Sequence, residues 1–481
     1  MSTRHEPTDV VQTHPAPTAR PVRGVERTLA GWSNYDRQAC QVYRPEKVAE
    51  LRRVVAGAPQ DSVLSRGAGR SYNDAALNGG GGVLLHARLN RLLDFDPASG
   101  ELKCEAGATF GEIIDFALPR GWFPSVTPGT KFVTVGGAIA ADVHGKNHHQ
   151  DGSFASCVAS FRLLTADGRE LICSRSQHSD AFWGTLGGMG LTGVVLDARL
   201  SLKPAPTAYL AVEHRRAENL DQALDEFAAH DHRFAYSVAW IDCLAKGKAL
   251  GRSILMRGRH APLNDLPREL VDSPRELECR RKRSVPFYLP QGLLNRWTVQ
   301  AFNSLYYRVH RDQRAIVHYD SFFYPLDSVL HWNRIYGRQG FIQYQAAFPV
   351  ASSRRGVAAL LEKLAGLGAA SFLAVLKSFG PGNASPLSFS LQGHTLALDL
   401  PWRRDLPELM RELDELVLRY DGRTYLAKNP RLSRTAFEAM YPETERFRRI
   451  KNELDPQHRF SSSLARRLGL TEAARTAVRA A

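Results

Sequence analysis

Apolar residues recur at helical spacing over 45–55, where Val48, Leu51, Val54 and Val55 share one side, and over 109–120, where Phe110, Ile113, Ile114 and Leu118 do. Short apolar runs at 63–64, 83–85, 92–95 and 101–104 predict strands. The runs 158–166 and 170–173 predict a strand pair about the turn Ala166-Asp167-Gly168. The stretch 181–202 begins as a helix, breaks at Gly187, Gly188 and Gly190, and resumes as a strand. After Pro206 the pattern changes. Strands are predicted at 209–214, 235–242, 321–324, 341–348, 372–378 and 396–400, with helices at 357–367 and 406–420 between them. The part up to about residue 283 reads as charged and loop-rich, and the tail as helices at 435–441 and 443–454. The sum is an α+β chain whose second half is an antiparallel sheet with helices on one face.

One run stands apart from this alternation. Residues 128–149, PGTKFVTVGGAIAADVHGKNHH, open with a Pro-Gly turn, and 132–135 alternate as a short strand would. Gly136 and Gly137 follow, then Ala138, Ala140 and Ala141, then three histidines and a lysine. Small residues make room, and exposed backbone N–H groups face an anion readily, which suits a phosphate-bearing cofactor. The plain alternative is a tight turn with His148 and His149 solvated. A second glycine turn, Ser65-Arg66-Gly67-Ala68-Gly69-Arg70-Ser71-Tyr72, follows the strand at 63–64. It lacks the third glycine and the long helix of a Rossmann unit. Gly193, Val194 and Val195 read as backbone pressed against a flat ligand.

Composition narrows the classes. A chain of 481 residues predicts two or three domains, and 43% hydrophobic with 23% charged residues is ordinary globular material. No apolar run has the length of a membrane span. Residues 1–27 are rich in Pro and Thr without an apolar core, which reads as a disordered leader and a cytoplasmic protein. Cys40, Cys104, Cys157, Cys173, Cys243 and Cys279 form neither a CxxC pair nor a zinc spacing, so reduced structural thiols and no metal are expected. The net charge of +14 points to an anionic partner. No helix-turn-helix, zinc-finger or RNP pattern supports nucleic acid.

Candidate chemistry lies mostly outside the two turns. Lys428, in the apolar setting Tyr425-Leu426-Ala427-Lys428, is placed to lose its proton by desolvation. A neutral amine serves as base, and a charged one steadies a developing anion. Gln343 and Gln345, two apart on a strand, share a face that needs hydrogen-bonding partners. Tyr72 and His144 are candidates to orient substrate or cofactor, Lys377 to meet a phosphate, and Trp240 to line a pocket, each against the alternative of a core or solvated residue.

Read in order, these segments resemble the vanillyl-alcohol oxidase and para-cresol methylhydroxylase superfamily, and within it the decaprenylphosphoryl-β-D-ribose 2'-oxidase family. The resemblance rests on Gly69-Arg70-Ser71-Tyr72, Pro128-Gly129-Thr130, Thr134-Val135-Gly136-Gly137 and His144-Gly145-Lys146-Asn147-His148-His149. It continues through Gly190-Leu191-Thr192-Gly193, Tyr324-Pro325-Leu326-Asp327, Gln343-Tyr344-Gln345, Phe379-Gly380-Pro381 and Ala427-Lys428, over about residues 28–470.

The resemblance implies a two-domain FAD-binding PCMH-type fold, with 28–205 as the first part of the FAD domain, 206–415 as the substrate domain and 416–481 returning to the FAD domain. It implies FAD held by Arg66, Gly67, Ala68, Gly69, Arg70, Ser71, Tyr72, Asn73, Gly129, Thr134, Val135, Gly136, Gly137, Ala141, Asp142, His144, Val195 and Tyr425. Backbone N–H groups of 66–72 and 134–137 would take the pyrophosphate. Relatives that bind flavin covalently use a histidine in the first glycine loop, and Gly69-Arg70-Ser71 has none, so non-covalent FAD is expected. Further implications are a polyprenylphosphoryl sugar as hydride donor and a short-chain reductase as partner. Lys428, Tyr72, His144 and Gln345 would be catalytic, and Gln343, Gln345, Lys377 and Trp240 would hold substrate.

Against the family pattern, Ala397 replaces a cysteine, Ala374 an asparagine, Leu376 a phenylalanine and Phe323 a tyrosine, all expected at the pocket. Two other readings stand beside this one: oxidation of a soluble polyol, aldonolactone or nucleoside, and a flavin-free basic binding protein on the same fold. A lipid-linked substrate predicts an apolar entrance within 250–330, with 287–293 and Trp297 against a membrane and the basic run 275–283 facing anionic head groups. A soluble substrate predicts a closed polar pocket.

Overall fold

The computed structural model describes residues 23–277, 282–290, 292–369, 371 and 373–471. Most of the leader, Cys279 and the centre of the basic run lie outside these. Within the first 205 residues two sheets form. In one, Val25–Ala30, Arg37–Tyr43, Gly82–Leu85 and Val63–Arg66 lie side by side. The last two pairings are parallel, and the helix Val48–Gly57 crosses between the strands. The other sheet runs Leu92–Phe95, Glu101–Glu105, Val194–Pro204, Val158–Leu164 and Glu170–Ser174, all antiparallel, with Trp122–Pro124 also on Val194–Pro204. The helix Phe110–Ala117 packs Phe110, Ile113 and Ala117 into the core of this sheet and carries a Thr109–Glu112 capping box.

An eight-stranded sheet makes the second half. Its order is Gln313–His318, Tyr209–Ala217, Ser253–His260, Tyr236–Ile241, Ala374–Phe379, Gly393–Pro401, Phe341–Pro349 and Arg423–Thr424. The pairings are antiparallel throughout. The helices Leu220–His230, Val350–Leu367 and Leu406–Arg419 bury Leu224, Leu360, Leu361 and Leu413 in one large core. The opposite face of the sheet meets the first domain. Phe460 then bridges to Val63 in the first sheet. We propose the domain division at about 205, with the chain returning after the Arg423–Thr424 strand.

Several predicted elements change. The run 132–135 is not a strand: it turns, and Thr134 caps the helix Val135–Ala141 by accepting from the Gly137 amide. Glycines cost roughly 1 kcal/mol each in a helix, but a Cβ at Gly136 would crowd the Ala106 carbonyl oxygen at 3.1 Å and would have to push that neighbour back. Residues 321–324 are not a strand: 321–323 end the short helix Tyr319–Phe323, which His318 caps, and Tyr324 follows it. The segment read as loop-rich contains Ser253–His260, a central strand whose charged Arg257 is buried against Glu226 and Asp231. That pairing hides the strand from a hydrophobicity pattern. A further helix, Arg296–Val309, was not anticipated.

Asp142 ties the two halves. It sits at φ 40° after the helix Val135–Ala141 and accepts from the Ala155 amide, Asn383 Nδ2 and Ser388 Oγ. Asp142→Ala leaves these donors without a partner and is expected to lower unfolding free energy by about 3 kcal/mol, measured by chemical denaturation with flavin content followed in parallel.

Candidate active site

A cavity of about 690 Å³ lies between the sheet face and the first domain. The two glycine turns form one wall and touch: a Cβ on Gly67 would fall 2.1 Å from Thr134 Oγ1. The turns do different work. The amides of Val135, Gly136 and Gly137 are spent on Ala108 O, Ala106 O and Thr134 Oγ1. The expectation that they hold a pyrophosphate is therefore corrected, and their glycines serve close packing. In the first turn, the amides of Gly67, Ala68, Gly69, Arg70 and Ser71 have no partner among the described residues. They line the cavity in sequence, as an anion cradle requires. Arg70 lies over the Trp32 ring at 4.1 Å, and its buried Nε is unpartnered.

Lys428 is held from both domains. Tyr72 N–H donates to Ala427 O, Asn73 Nδ2 to Leu426 O and Asn429 O, Tyr425 N–H to Gln345 O, and the Tyr425 hydroxyl to Ala141 O. The Lys428 ammonium sits 3.6 Å from the Tyr72 ring centroid. Burial holds its pKa below the ordinary lysine value, opposed by Asp399 and reinforced by Lys377. Asp399 moves the other way: burial raises it, while Gln343 Nε2 donates to its Oδ1 at 2.6 Å and the Tyr336 hydroxyl to its Oδ2 at 3.1 Å.

A chain of donors fixes the histidine. Thr395 Oγ1 spends its proton on Ala346 O, so it accepts from Gln345 Nε2 at 3.2 Å. The same amide nitrogen faces His144 Nε2 at 3.0 Å, which must accept. The imidazole proton is therefore on Nδ1, a buried atom with no partner. Burial and nearby Lys377 keep the ring neutral, its pKa far below the usual value.

Lys377 and Lys146 also line the cavity, neither with an ion-pair partner among the described residues; Lys146 Nζ donates to Phe322 O and lies 4.3 Å from the centroid of that ring. Burial pushes Lys377 down to about 8, and burial with Lys377 nearby pushes Lys146 down to about 7. Three ammonium groups converging on a desolvated space favour an anionic occupant.

Of the sequence-predicted residues, Arg66–Tyr72, Gly129, Thr134, Gly136, Gly137, Ala141, His144, Val195, Trp240, Gln343, Gln345, Lys377, Tyr425 and Lys428 line the cavity. Asn73, Val135 and Asp142 do not: Asn73 clamps the Lys428 turn, Val135 is in the core and Asp142 joins the domains. Ala397 and Phe323 reach the wall as expected. Ala374 and Leu376, expected at the pocket, point into the core behind the sheet, because period two turns Leu373, Val375 and Lys377 to the cavity instead. His148 is buried against Phe379, not solvated. Sequence reasoning missed Lys146 and Asp399 as site residues. An aspartate inside the apolar strand LALDLP was the available signal for the second.

The comparisons agree with this geometry. The family model described as "FAD binding domain" matches residues 39–174, and that described as "D-arabinono-1,4-lactone oxidase" matches 399–468. The chain is 37% identical to the decaprenylphosphoryl-beta-D-ribose oxidase of Mycolicibacterium smegmatis, over 92% of this chain and 98% of the relative. It is 38% identical to an uncharacterized protein in the mprA 5' region of Streptomyces coelicolor, over 75% of this chain and all 100% of the relative. Mouse L-gulonolactone oxidase is 26% identical over 88% of this chain and 93% of its own length. The protein is an FAD-dependent oxidoreductase of the PCMH type. It belongs to the decaprenylphosphoryl-β-D-ribose oxidase family.

The residues present fit the cofactor. The five free amides and Arg70 suit its pyrophosphate, and the orphaned His144 Nδ1–H and the Lys428 ammonium are donors for its polar ring edge. Gly67→Ala is expected to abolish FAD retention, read as visible flavin absorbance after gel filtration. Adding Thr134→Ala removes the clashing hydroxyl and should restore part of it.

Proposed function

We propose that the protein oxidises a secondary hydroxyl of a polyprenylphosphoryl pentose to a ketone. The observation that carries this reading is the order of strands under one cavity: the strand of Gln343 and Gln345, beside Lys428 and the free amides, then the strand of Lys377, then those of Val238 and Met256. That order matches cofactor, sugar, phosphate and hydrocarbon. FAD, when bound, supplies the acceptor for the hydride and its two electrons.

The chain's own residues then have defined tasks. Gln343 and Gln345 hold sugar hydroxyls, Tyr72 packs beneath Lys428, and the neutral Lys428 amine takes the hydroxyl proton as the C–H bond breaks. His144 stays neutral and donates from Nδ1. Lys377 pairs with the phosphate. FAD is held without a covalent bond, so acid precipitation should leave the yellow colour in the supernatant. The keto product calls for a hydride-donating reductase as the next step, consistent with a short-chain reductase partner.

A membrane-facing entrance supports the lipid-linked substrate. Along the helix Arg296–Val309, Trp297, Leu305 and Val309 are 74%, 62% and 62% exposed, and Phe287 nearby is 64% exposed. Arg296 and Arg308 are exposed on the same helix. No helix among the described residues is long and apolar enough to cross a bilayer, so the contact is peripheral. Replacing Trp297 and Leu305 with serine is expected to abolish co-sedimentation with anionic vesicles while FAD content holds. A second reading, oxidation of a soluble aldonolactone, has the match at 399–468 in its favour.

Anaerobic flavin bleaching separates the two: polyprenylphosphoryl pentoses should bleach it, and bleaching by free lactones alone would overturn the first. Lys428→Ala should keep FAD and lose roughly 10²–10⁴ in the rate of flavin reduction. The sign of the pH effect follows from the role. A base works deprotonated, so the wild-type reduction rate should rise as pH climbs through a lysine pKa held below its ordinary value by burial, then level. A fall over that range would make the ammonium the working form.

A further inference from the structure

Lys377 does not sit at the end of the cavity. The strand pairing sets Ala239 opposite Leu376 and Trp240 opposite Val375, so the next rung puts Val238 beside Lys377. Val238 in turn faces Met256, and Met256 faces His214. This row crosses four strands on the cavity face of the sheet. Val212 and Val317 line the same space from the outer strands. From Lys377 to His214 is three strand spacings, roughly 14 Å and the length of about three isoprene units. Past Lys377 the floor of Val238, Met256 and Val212 carries no charge.

The trough has a roof and an exit. Tyr306 lies 4.7 Å from Trp240, and Phe302 5.7 Å from Tyr306, both on the helix Arg296–Val309. Phe302 lines the cavity and is also 43% exposed. The trough therefore opens beside the apolar stripe of Trp297, Leu305 and Val309. Its inner end is continuous with the lysines that meet a phosphate, which commits its occupant to the hydrocarbon attached to that phosphate.

Resting on the function proposed above, we infer that this trough is a binding subsite for the first isoprene units of the substrate's tail, and that the remainder of the tail leaves under the helix Arg296–Val309. Recognition of the lipid then ends about three units from the phosphate. Chain length beyond that point changes membrane partition and not the fit to the enzyme.

The test uses the FAD-loaded enzyme and pentosyl phosphodiesters bearing ethyl, geranyl, farnesyl and geranylgeranyl groups, each below its micelle concentration. KM for anaerobic flavin reduction should fall roughly tenfold or more per added isoprene unit as apolar surface is buried, and level at farnesyl. Met256→Trp fills the trough and should cut the farnesyl-to-ethyl ratio of kcat/KM at least tenfold. FAD content of Met256→Trp controls for folding, and the wild-type series of tail lengths tests the subsite without any variant. Equal KM for ethyl and farnesyl substrates, or an unchanged ratio in folded, FAD-loaded Met256→Trp, would overturn the subsite. Oxidation of the ethyl compound with no tail dependence defeats this inference and leaves the proposed function standing. Failure of every phosphodiester to bleach the flavin defeats the function itself.

Discussion

The site depends on one close approach: the backbone of Gly67 packs against the Thr134 side chain with no room for a Cβ. Gly67 rests on Thr134, and Gly136 rests on Ala106. These contacts set the helix Val135–Ala141 between the end of the Val63–Arg66 strand and the core of the second sheet, and the chain then carries Ala141, Asp142 and His144 to the domain boundary. Everything across the cavity is hung from that arrangement. The Lys428 turn is bonded to Tyr72 and Asn73 on one side and through Tyr425 to Ala141 on another. A shift of the first contact would move the lysine, the histidine and the amide cradle together.

The electrostatics follow a single logic. Lys146, Lys377 and Lys428 are drawn out of water with one aspartate, Asp399, placed against Lys428. Such a cluster is costly when empty, and bound anions relieve it. On the function proposed above, the two negative groups are the cofactor pyrophosphate at the amide cradle and the substrate phosphate at Lys377. The glutamine–threonine–histidine chain has the opposite character. It is neutral, fully directional and fixed by the single proton of Thr395.

Much of this was legible in the residues. Period two in 341–348 placed Gln343 and Gln345 on one face, and glycine content marked both turns. What failed did so for physical reasons. The run 132–135 alternates for too few residues to distinguish a strand from a capped helix start. The strand Ser253–His260 disguises itself because its Arg257 is paired inside. Free and spent amides look alike in a sequence, so the unequal roles of the two glycine turns needed coordinates. Ala374 and Leu376 show how a one-residue offset in a strand exchanges wall for core. Asp142 and Asn73 lie in the right loops but serve architecture, a distinction set by where three donors happen to converge.

The stitching between the halves has a kinetic consequence. Asp142, Tyr425 and the Tyr72–Ala427 bond cross the seam at separate points, and Arg423–Thr424 adds a strand to the sheet from beyond it. A clamshell motion would have to break all of these at once. Among the described residues, Phe302 both lines the cavity and is exposed, which puts an opening beside the helix Arg296–Val309. On the function proposed above, entry and release then need the helix Arg296–Val309 to give way, and the seam between the halves can stay closed.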